Sequence, residues 1–264
     1  MIDFQPRVAG GVNWYGAWTL YQKEVRHFLK MPAHTVFAPT VTGLLFLAIF
    51  TLALGGAVRQ MVGVPFVEFL APGLVMMALV DAAFDNPAGS LVHGKLQGSI
   101  VDVLMPPIGP GEFVAGYALG GATRGLMVGG TLLVLMQPFV PMVPEHPALV
   151  LFYALATAVA LALLGLIVGL WAPKWDQLAM VNSFTITPLA FLSGVFYSIA
   201  RLPEAWRTAA QFNPFFYMID GFRYGFIDRA DGSLAVGAAV LVALDVALWL
   251  VCHRLLASGY NLRP

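Results

Sequence analysis

Long apolar stretches constrain the fold of this chain more than any other feature of its sequence. A helix needs about 20 mostly apolar residues to cross the hydrocarbon core of a bilayer. Composition agrees with a lipid environment, because 59% of the residues are hydrophobic and only 11% are charged, which is too apolar for a soluble domain. We therefore predict an all-α integral membrane protein with six transmembrane helices, at about residues 35–58, 67–92, 112–136, 148–171, 178–199 and 233–256.

An amphipathic segment precedes the first span. From Trp14 to Lys30, apolar and aromatic residues recur at steps of four and three, while polar and basic residues fill the opposite side. This profile is typical of a helix that lies in the membrane interface; a surface helix of a soluble domain is the alternative, but no soluble core follows. We therefore predict a cytoplasmic tail and interface helix over residues 1–34 and a six-helix transmembrane domain over residues 35–264.

The distribution of basic residues predicts the orientation in the membrane. Lysine and arginine accumulate on the cytoplasmic side of membrane proteins. If the N-terminus is cytoplasmic, all four lysines fall on that side, whereas the arginines of the opposite side are matched there by acidic residues. We therefore expect both termini in the cytoplasm. The four lysines are Lys23, Lys30, Lys95 and Lys174.

Two segments outside the spans have helical patterns of their own. The loop from His93 to Pro110 predicts a short amphipathic helix, whose apolar side either lies on the bilayer or docks in a groove of a cytoplasmic partner. The segment from Ile199 to Gly232 predicts two short helices at or dipping into the outer interface. Its aromatic rings are typical of headgroup anchors, with direct substrate contact as the alternative. These rings are Phe212, Phe215, Phe216, Tyr217, Phe222, Tyr224 and Phe226.

Four charged residues fall inside predicted spans. Asp81 and Asp85 lie one turn apart on one face of the second span, Arg124 lies in the third, and Asp245 lies in the last. A charge at membrane depth is costly unless it is paired or hydrated. We hypothesise that Arg124 pairs with one of the two aspartates, either as a structural ion pair or as part of a transport pathway. Asp245 has no obvious partner.

The third span also carries a run of glycines. These residues remove side-chain bulk from the helix surface, and such spacing typically allows neighbouring helices to pack closely. We therefore expect the third span to lie against other helices at short range. The glycines are Gly116, Gly120, Gly121, Gly125 and Gly129.

Catalytic and nucleotide-binding motifs have no convincing match. The run from Gly89 to Lys95 satisfies most of a P-loop pattern, but Leu96 stands where the magnesium-binding serine or threonine is needed. The five histidines are scattered, and the single cysteine, Cys252, excludes a disulfide within the chain. We therefore expect a non-catalytic protein with no metal site and no cofactor of its own. A net charge of zero gives no indication of a nucleic-acid partner.

Two segments resemble the permeases of ABC-2 type transporters, particularly the small bacterial permeases related to the nodulation-factor and drug-export types. They are GKLQGSIVDVLMPP at Gly94–Pro107 and the aromatic-rich segment Leu192–Phe226, and the resemblance extends over nearly the whole chain. It implies the permease subunit of an exporter in the bacterial inner membrane. Such a subunit moves a lipid-like, glycoconjugate or drug-like substrate with ATP hydrolysed by a separate subunit, which binds the ATP and Mg.

The resemblance also implies partners and site residues. The family works as a permease homodimer in membrane lipid with two cytoplasmic ATPase subunits, which contact the interface helix and a coupling helix at Gly94–Leu104. Two outer re-entrant helices, at Pro203–Gln211 and Pro214–Ile227, close the pathway. The implied coupling residues are Lys23, Glu24, His27, Gly94, Lys95, Leu96, Ile100, Asp102 and Leu104. The implied outer-gate residues are Phe212, Pro214, Phe216, Tyr217 and Arg223.

Two other classes of protein fit parts of the sequence. An ion-coupled secondary transporter would use the intramembrane charges as a proton relay, but its inverted halves are not evident. An intramembrane lipid-modifying enzyme would build its site from Asp81, Asp85 and Arg124, but it would lack a metal or a nucleophile at readable spacing. A pull-down in mild detergent separates the three classes, because only the first requires a nucleotide-binding subunit.

Overall fold

The computed structural model describes residues 12–54 and 60–260, which are almost entirely helical. In this part of the chain, five helices are long and apolar enough to cross a membrane. The predicted all-α membrane fold is therefore confirmed. The five are Ala33–Ala53, Phe66–Leu96, Pro110–Met136, Pro147–Trp171 and Leu234–Ala257.

The elements are numbered in chain order. The helices are α1 (Trp14–Leu29), α2 (Ala38–Leu54, after a π-helical turn at Ala33–Phe37), α3 (Phe66–Leu96), α4 (Ile100–Leu104), α5 (Pro110–Met136), α6 (Pro147–Trp171), α7 (Trp175–Val181), α8 (Thr187–Leu192), α9 (Glu204–Gln211), α10 (Pro214–Ile227) and α11 (Leu234–Ala257). A second π-helical segment, Asn182–Ile186, joins α7 to α8, and a 3₁₀ turn spans Ile199–Arg201. Two short antiparallel strands, β1 (Gln60–Met61) and β2 (Val64–Pro65), pair Gln60 with Pro65 and Met61 with Val64.

The fifth predicted span, at residues 178–199, differs from the structure. The helical path runs from α7 through the π-helical segment and ends with α8 at Leu192, well before residue 199. Gly194, at φ +81°, then turns the chain in a conformation that glycine adopts without steric cost. This path is roughly 27 Å long at 1.5 Å per residue, and polar Asn182 lies inside it, so it is not among the five clear spans. The six-helix count stays a prediction.

The centre of the bundle is built from α3, α5 and α6, which approach one another where glycines remove side-chain bulk. A Cβ atom on Gly165 of α6 would lie only 2.2 Å from the carbonyl oxygen of Phe84 in α3. On α5, a Cβ on Gly125 would lie 2.9 Å from the carbonyl oxygen of Leu79. The close packing predicted for the glycines of the third span is therefore confirmed.

The two ends of the bundle carry different elements. At one end, which we call the α1 end, α1 lies along α5 and its Leu20 contacts the bare surface of Gly116. The short helix α4 lies at the same end, because one cavity is lined by residues of both α1 and α4. The opposite end, which we call the α9 end, holds the β-hairpin and α9, and Arg201 there donates a hydrogen bond to the carbonyl oxygen of Gln60 at 3.4 Å.

Candidate coupling and transport sites

A buried carboxylate joins α1 to the membrane bundle. Glu24 has 0% of its surface exposed and forms an ion pair with Lys23 at 3.0 Å. On α3, the hydroxyl of Ser90 donates to the Glu24 carboxylate at 2.8 Å, and the side-chain amide of Asn86 donates at 3.3 Å. Gly120 of α5 makes room, because a Cβ there would lie 2.6 Å from that of Glu24. A buried charge needs such partners, so Glu24 holds α1 against α3.

This burial corrects one sequence-based assignment. The resemblance to ABC-2 permeases implies Glu24 among the residues that contact an ATPase. In the structure the Glu24 side chain faces inward with 0% exposed, so it is not part of the exposed surface of α1. Lys23 and His27, from the same implied set, are exposed on α1.

The start of α1 is tied to the loop before α5. The Asn13 side chain caps α1 by accepting from the Gly16 N–H at 2.8 Å, and it donates to the carbonyl oxygen of Pro107 at 3.1 Å. The Glu112 carboxylate accepts from the backbone N–H of Asn13 and, at 2.5 Å, from that of Gly109. These bonds join α1, the end of the α4 loop and the first turn of α5 into one unit.

The loop around α4 presents an exposed apolar surface, although not through all the residues implied by the resemblance. Ile100 is only 8% exposed and packs with Leu20 and Leu91, so it belongs to the core and its assignment to the docking surface is corrected. The exposed apolar side chains are Leu96, Val101 and Met105, of which Met105 is 77% exposed. We call these three residues the α4 patch.

The other implied coupling residues of this segment have mixed surroundings. Asp102 is exposed beside the α4 patch, and Gly94 is partly buried near Ile100. Lys95 is partly buried and donates a hydrogen bond to the carbonyl oxygen of Leu170 at the end of α6. Leu104 ends α4, and its side chain lies outside the described part of the structure.

Two cavities with polar residues in their walls lie beside α3. The first, of about 670 Å³, is bounded by α1, α3, α5 and α7, and we call it the α1 cavity. The second, of about 370 Å³, lies between α2, α3 and the π-helical segment, and we call it the α2 cavity. Asp85 and Asn182 line both cavities, and the Asn182 amide donates to the Asp85 carboxylate at 3.3 Å. This hydrogen bond therefore lies where the two cavities adjoin, at a π-helical segment, a feature that is frequent at functional sites.

The intramembrane charges are arranged differently from the hypothesis of an ion pair. Arg124 lines the α1 cavity together with Asp85, whereas Asp81 lines only the α2 cavity. In the described residues the direct ion pairs are Lys23–Glu24 and His146–Asp228, so Arg124 does not form the predicted direct ion pair with Asp81 or Asp85. Asp85 lies near enough to Arg124 to interact with it electrostatically. Asp245 of α11 has a buried oxygen without a hydrogen-bond partner in the described part of the chain.

A second buried charge fixes α10 at the α9 end. Arg223 is 2% exposed, and its guanidinium lies 3.8 Å from the centre of the Phe69 ring. Its Nη2 donates to the carbonyl oxygen of Gly194 at 2.7 Å, and its Nε donates to that of Phe69 at 3.2 Å. Arg223 therefore connects α10 to α3 and to the turn that ends α8.

Two aspartates extend this connection to the loop after α10. Asp220 accepts from the backbone N–H groups of Asp231 and Gly232, both at 2.9 Å. Asp231 in turn accepts from the Ser198 hydroxyl at 2.7 Å and from the Ile199 N–H at 3.0 Å. Helix α10, the loop after it and the turn after α8 thus form one hydrogen-bonded unit.

Most aromatic residues of this segment do not serve as headgroup anchors. Phe215, Phe216, Phe222 and Phe226 are buried in the bundle, so the anchoring interpretation is wrong for them. Tyr217 is partly buried against Phe216, and Phe212 is exposed. Pro214 begins α10 at the helical position where its missing N–H costs least. The burial of these four phenylalanines agrees with an α10 helix that is inserted into the bundle.

Histidines that are far apart in sequence meet in the structure, which sequence reasoning missed. The rings of His27 and His93 lie 6.0 Å apart, and both residues line the α1 cavity with His34. At the α9 end, His146 lies 3.1 Å from the Asp228 carboxylate. Hydrogen bonds from the hydroxyl of Tyr224 and from His146 lower the pKa of Asp228. Separations such as 82 residues between His146 and Asp228 give no local sequence signal.

Long apolar helices, cavities with polar residues in their walls and an interface helix at one end are typical of a multi-pass membrane transport protein. A model of the ABC-2 type transporter family matches residues 15–227, and the chain belongs to this family. The family supports a role as a transmembrane transporter subunit.

The chain is similar to proteins from several bacteria. The chain is 36% identical over 250 residues to the inner membrane transport permease YadH of Escherichia coli strain K12, covering 95% of this chain and 98% of that protein. It is 27% identical over 255 residues to nodulation protein J of Rhizobium leguminosarum bv. viciae, with 94% and 95% covered. Identity to nodulation protein J of Rhizobium meliloti strain 1021 is 24% over 221 residues, with 81% of each chain covered.

Proposed function

We propose that this chain is the permease subunit of an ABC-2 exporter in the bacterial inner membrane. Two copies form a homodimer that binds two copies of a separate cytoplasmic ATPase, and the ATPase holds the ATP and Mg. The complex exports a lipid-like, glycoconjugate or drug-like substrate. The observation that carries the proposal is the α4 patch, an exposed apolar surface on a segment between two spans that adjoins α1.

Exposed apolar side chains outside the membrane favour a protein partner. Leu96, Val101 and Met105 come from the end of α3, from α4 and from the residue after it. The other side of this segment packs against the rest of the protein, because Ile100 lies in the core with Leu20. A groove on an ATPase that accepts a short amphipathic helix would cover the remaining apolar side.

The basic residues support a cytoplasmic location of the α1 end. Lys23 lies in α1, Lys30 follows its last residue, Lys95 reaches the end of α6, and Lys174 immediately precedes α7. All four lysines therefore lie at the end that holds the α4 patch, which is the expected arrangement for the cytoplasmic side. This orientation gives the patch access to an ATPase.

The contacts of α1 suggest how movement of an ATPase reaches the membrane. The ATPase would press on α1 and α4, which the Asn13 and Glu112 hydrogen bonds join to α5. Glu24 connects α1 directly to Ser90 of α3, and α3 lines both cavities. Rotation of this unit would change access to the cavities, so the permease provides the two-state element and the ATPase supplies the free energy.

Met105→Asp tests the docking surface. A charge at an apolar contact is costly to bury, so we expect the variant to lose co-purification with the ATPase and substrate-stimulated ATP hydrolysis, while its thermal unfolding stays unchanged. Phe139→Asp is the matched control, because Phe139 is also highly exposed, at 73%, but follows α5 at the opposite end from its first turn. Normal co-purification of Met105→Asp with the ATPase would contradict the assignment.

A further inference from the structure

The wall of the α1 cavity is rich in hydrogen-bond donors. Arg124 and Lys30 contribute permanent positive charges, and each of the histidines His27, His34 and His93 has an N–H in any protonation state. Asp85 and Asp176 are the acidic residues of the lining. Asp85 is engaged by the Asn182 amide, and Asp176 is exposed at the rim. The exposed Lys30, His27 and His34 lie at the mouth of the cavity, and Arg124 is the cationic side chain of the lining that is only partly exposed.

Arg124 is partly buried in the wall of the cavity, and one of its donor atoms has no hydrogen bond among the described residues. Its Nε atom is buried without a hydrogen bond in the described part of the chain, and no ion pair reaches its guanidinium there. A buried charged donor without an acceptor is unfavourable. Arg223, by contrast, has three backbone carbonyl partners. Asp85 lies near enough to interact electrostatically with Arg124, but the Nε atom still lacks an acceptor within the described ranges, which an anion entering the cavity would supply.

The cavity also adjoins apolar surface. It lies at the break between α1 and α2, where Met31 lines it and the neighbouring Leu29 and Phe37 are exposed. Trp175 lines the same cavity on the α7 side. A ligand with an anionic head and a hydrocarbon tail would place its head at Arg124 and its tail along these side chains.

We propose that the α1 cavity binds a phosphate group carried on an acyl-chain amphiphile. Arg124 binds the phosphate at depth, because the guanidinium matches phosphate geometry, and Lys30 binds it at the mouth. The histidine N–H groups supply further donors. This inference rests on the proposed function only in that the cavity forms part of the transport path.

Binding to the purified permease without any ATPase tests this proposal separately from ATPase docking. A fluorescent dioctanoyl phosphatidic acid is titrated and then displaced with unlabelled dioctanoyl phosphatidic acid, dioctanoylglycerol or inorganic phosphate. We expect the unlabelled phosphatidic acid to displace the probe at a concentration at least about tenfold lower than either of the other two. Dioctanoylglycerol lacks the phosphate group, and inorganic phosphate lacks the acyl chains. Arg124→Gln and Lys30→Gln should each raise the Kd by about tenfold or more.

Lys174→Gln is the control, because Lys174 lies at the same end but does not line the cavity. It should bind with the wild-type Kd. If Arg124→Gln does not fold, Lys30→Gln and Lys174→Gln decide the test.

An unchanged Kd in Lys30→Gln, or equal displacement by dioctanoylglycerol, overturns the proposal. Displacement by inorganic phosphate at the same concentration as phosphatidic acid overturns the amphiphile and leaves a free phosphate as the ligand. Met105→Asp should retain binding, so failure of docking leaves this result unaffected.

Discussion

Replacing Glu24 with alanine should detach α1 from the bundle and abolish most substrate-stimulated ATP hydrolysis. The substitution leaves Lys23, Ser90 and Asn86 without their shared acceptor. Ser90 and Asn86 are buried, and a buried polar group that loses its acceptor costs about 1–3 kcal/mol. Lys23 is exposed and adds little to this cost. The expected results are a lower thermal midpoint and faster protease cleavage near α1.

Two variants sharpen this test. Glu24→Gln keeps one oxygen acceptor for Ser90 and should lie between the wild type and Glu24→Ala in both measurements. Glu145→Ala removes an exposed carboxylate outside the α1 end and should behave as the wild type. If Glu24→Ala keeps the wild-type midpoint and ATP hydrolysis, Glu24 does not transmit movement from α1 to α3.

Replacing Arg223 with methionine should open the α9 end of the bundle. Methionine keeps much of the length and can still contact the Phe69 ring, but it leaves the carbonyl oxygens of Phe69 and Gly194 without their donor. Each buried group left unsatisfied costs about 1–3 kcal/mol. The thermal midpoint should fall by about 2–4 °C per kcal/mol for a chain of this size.

The gating part of this prediction is read out with a single cysteine. In a Cys252→Ala background, Thr187→Cys places a thiol in the α2 cavity. A charged thiol reagent added from the α9 side should label it faster in Arg223→Met than in the parent. Arg201→Met is the control, because Arg201 lies at the same end, is exposed and makes only one long hydrogen bond, at 3.4 Å. Equal labelling of all three proteins would contradict a role of Arg223 in closing this end.

Helix positions were largely predictable because local chemistry determines them. Pro110 and Pro147 begin α5 and α6, where proline is favoured at the first helical position, and apolar length then decides that these helices span a bilayer. The segment Asn182–Ile186 shows the limit of this reasoning. Its neighbours α7 and α8 pack against α3 and α10, Asn182 donates a hydrogen bond to Asp85 of α3, and none of these contacts can be read from hydropathy.

The candidate sites were less predictable because their partners are distant in the sequence. Glu24 meets Ser90 across 66 positions, and Arg223 meets Phe69 across 154. A lone carboxylate on an amphipathic helix, such as Glu24, is expected at the surface. It can be buried here because Gly120, on another helix, has no side chain and leaves room for it. For Arg124 the sequence predicted a contact that does not form, because charged residues on neighbouring spans can line the same cavity without making a direct ion pair.

Native mass spectrometry of the affinity-purified chain in mild detergent shows directly whether the α1 end docks a separate ATPase. We expect one assembly of two permease chains with two ATP-binding subunits, which disappears in Met105→Asp and persists in Phe139→Asp. Isolation of the chain in stable form without any nucleotide-binding subunit, under conditions in which it still transports, would rule out docking of an ATPase at the α1 end.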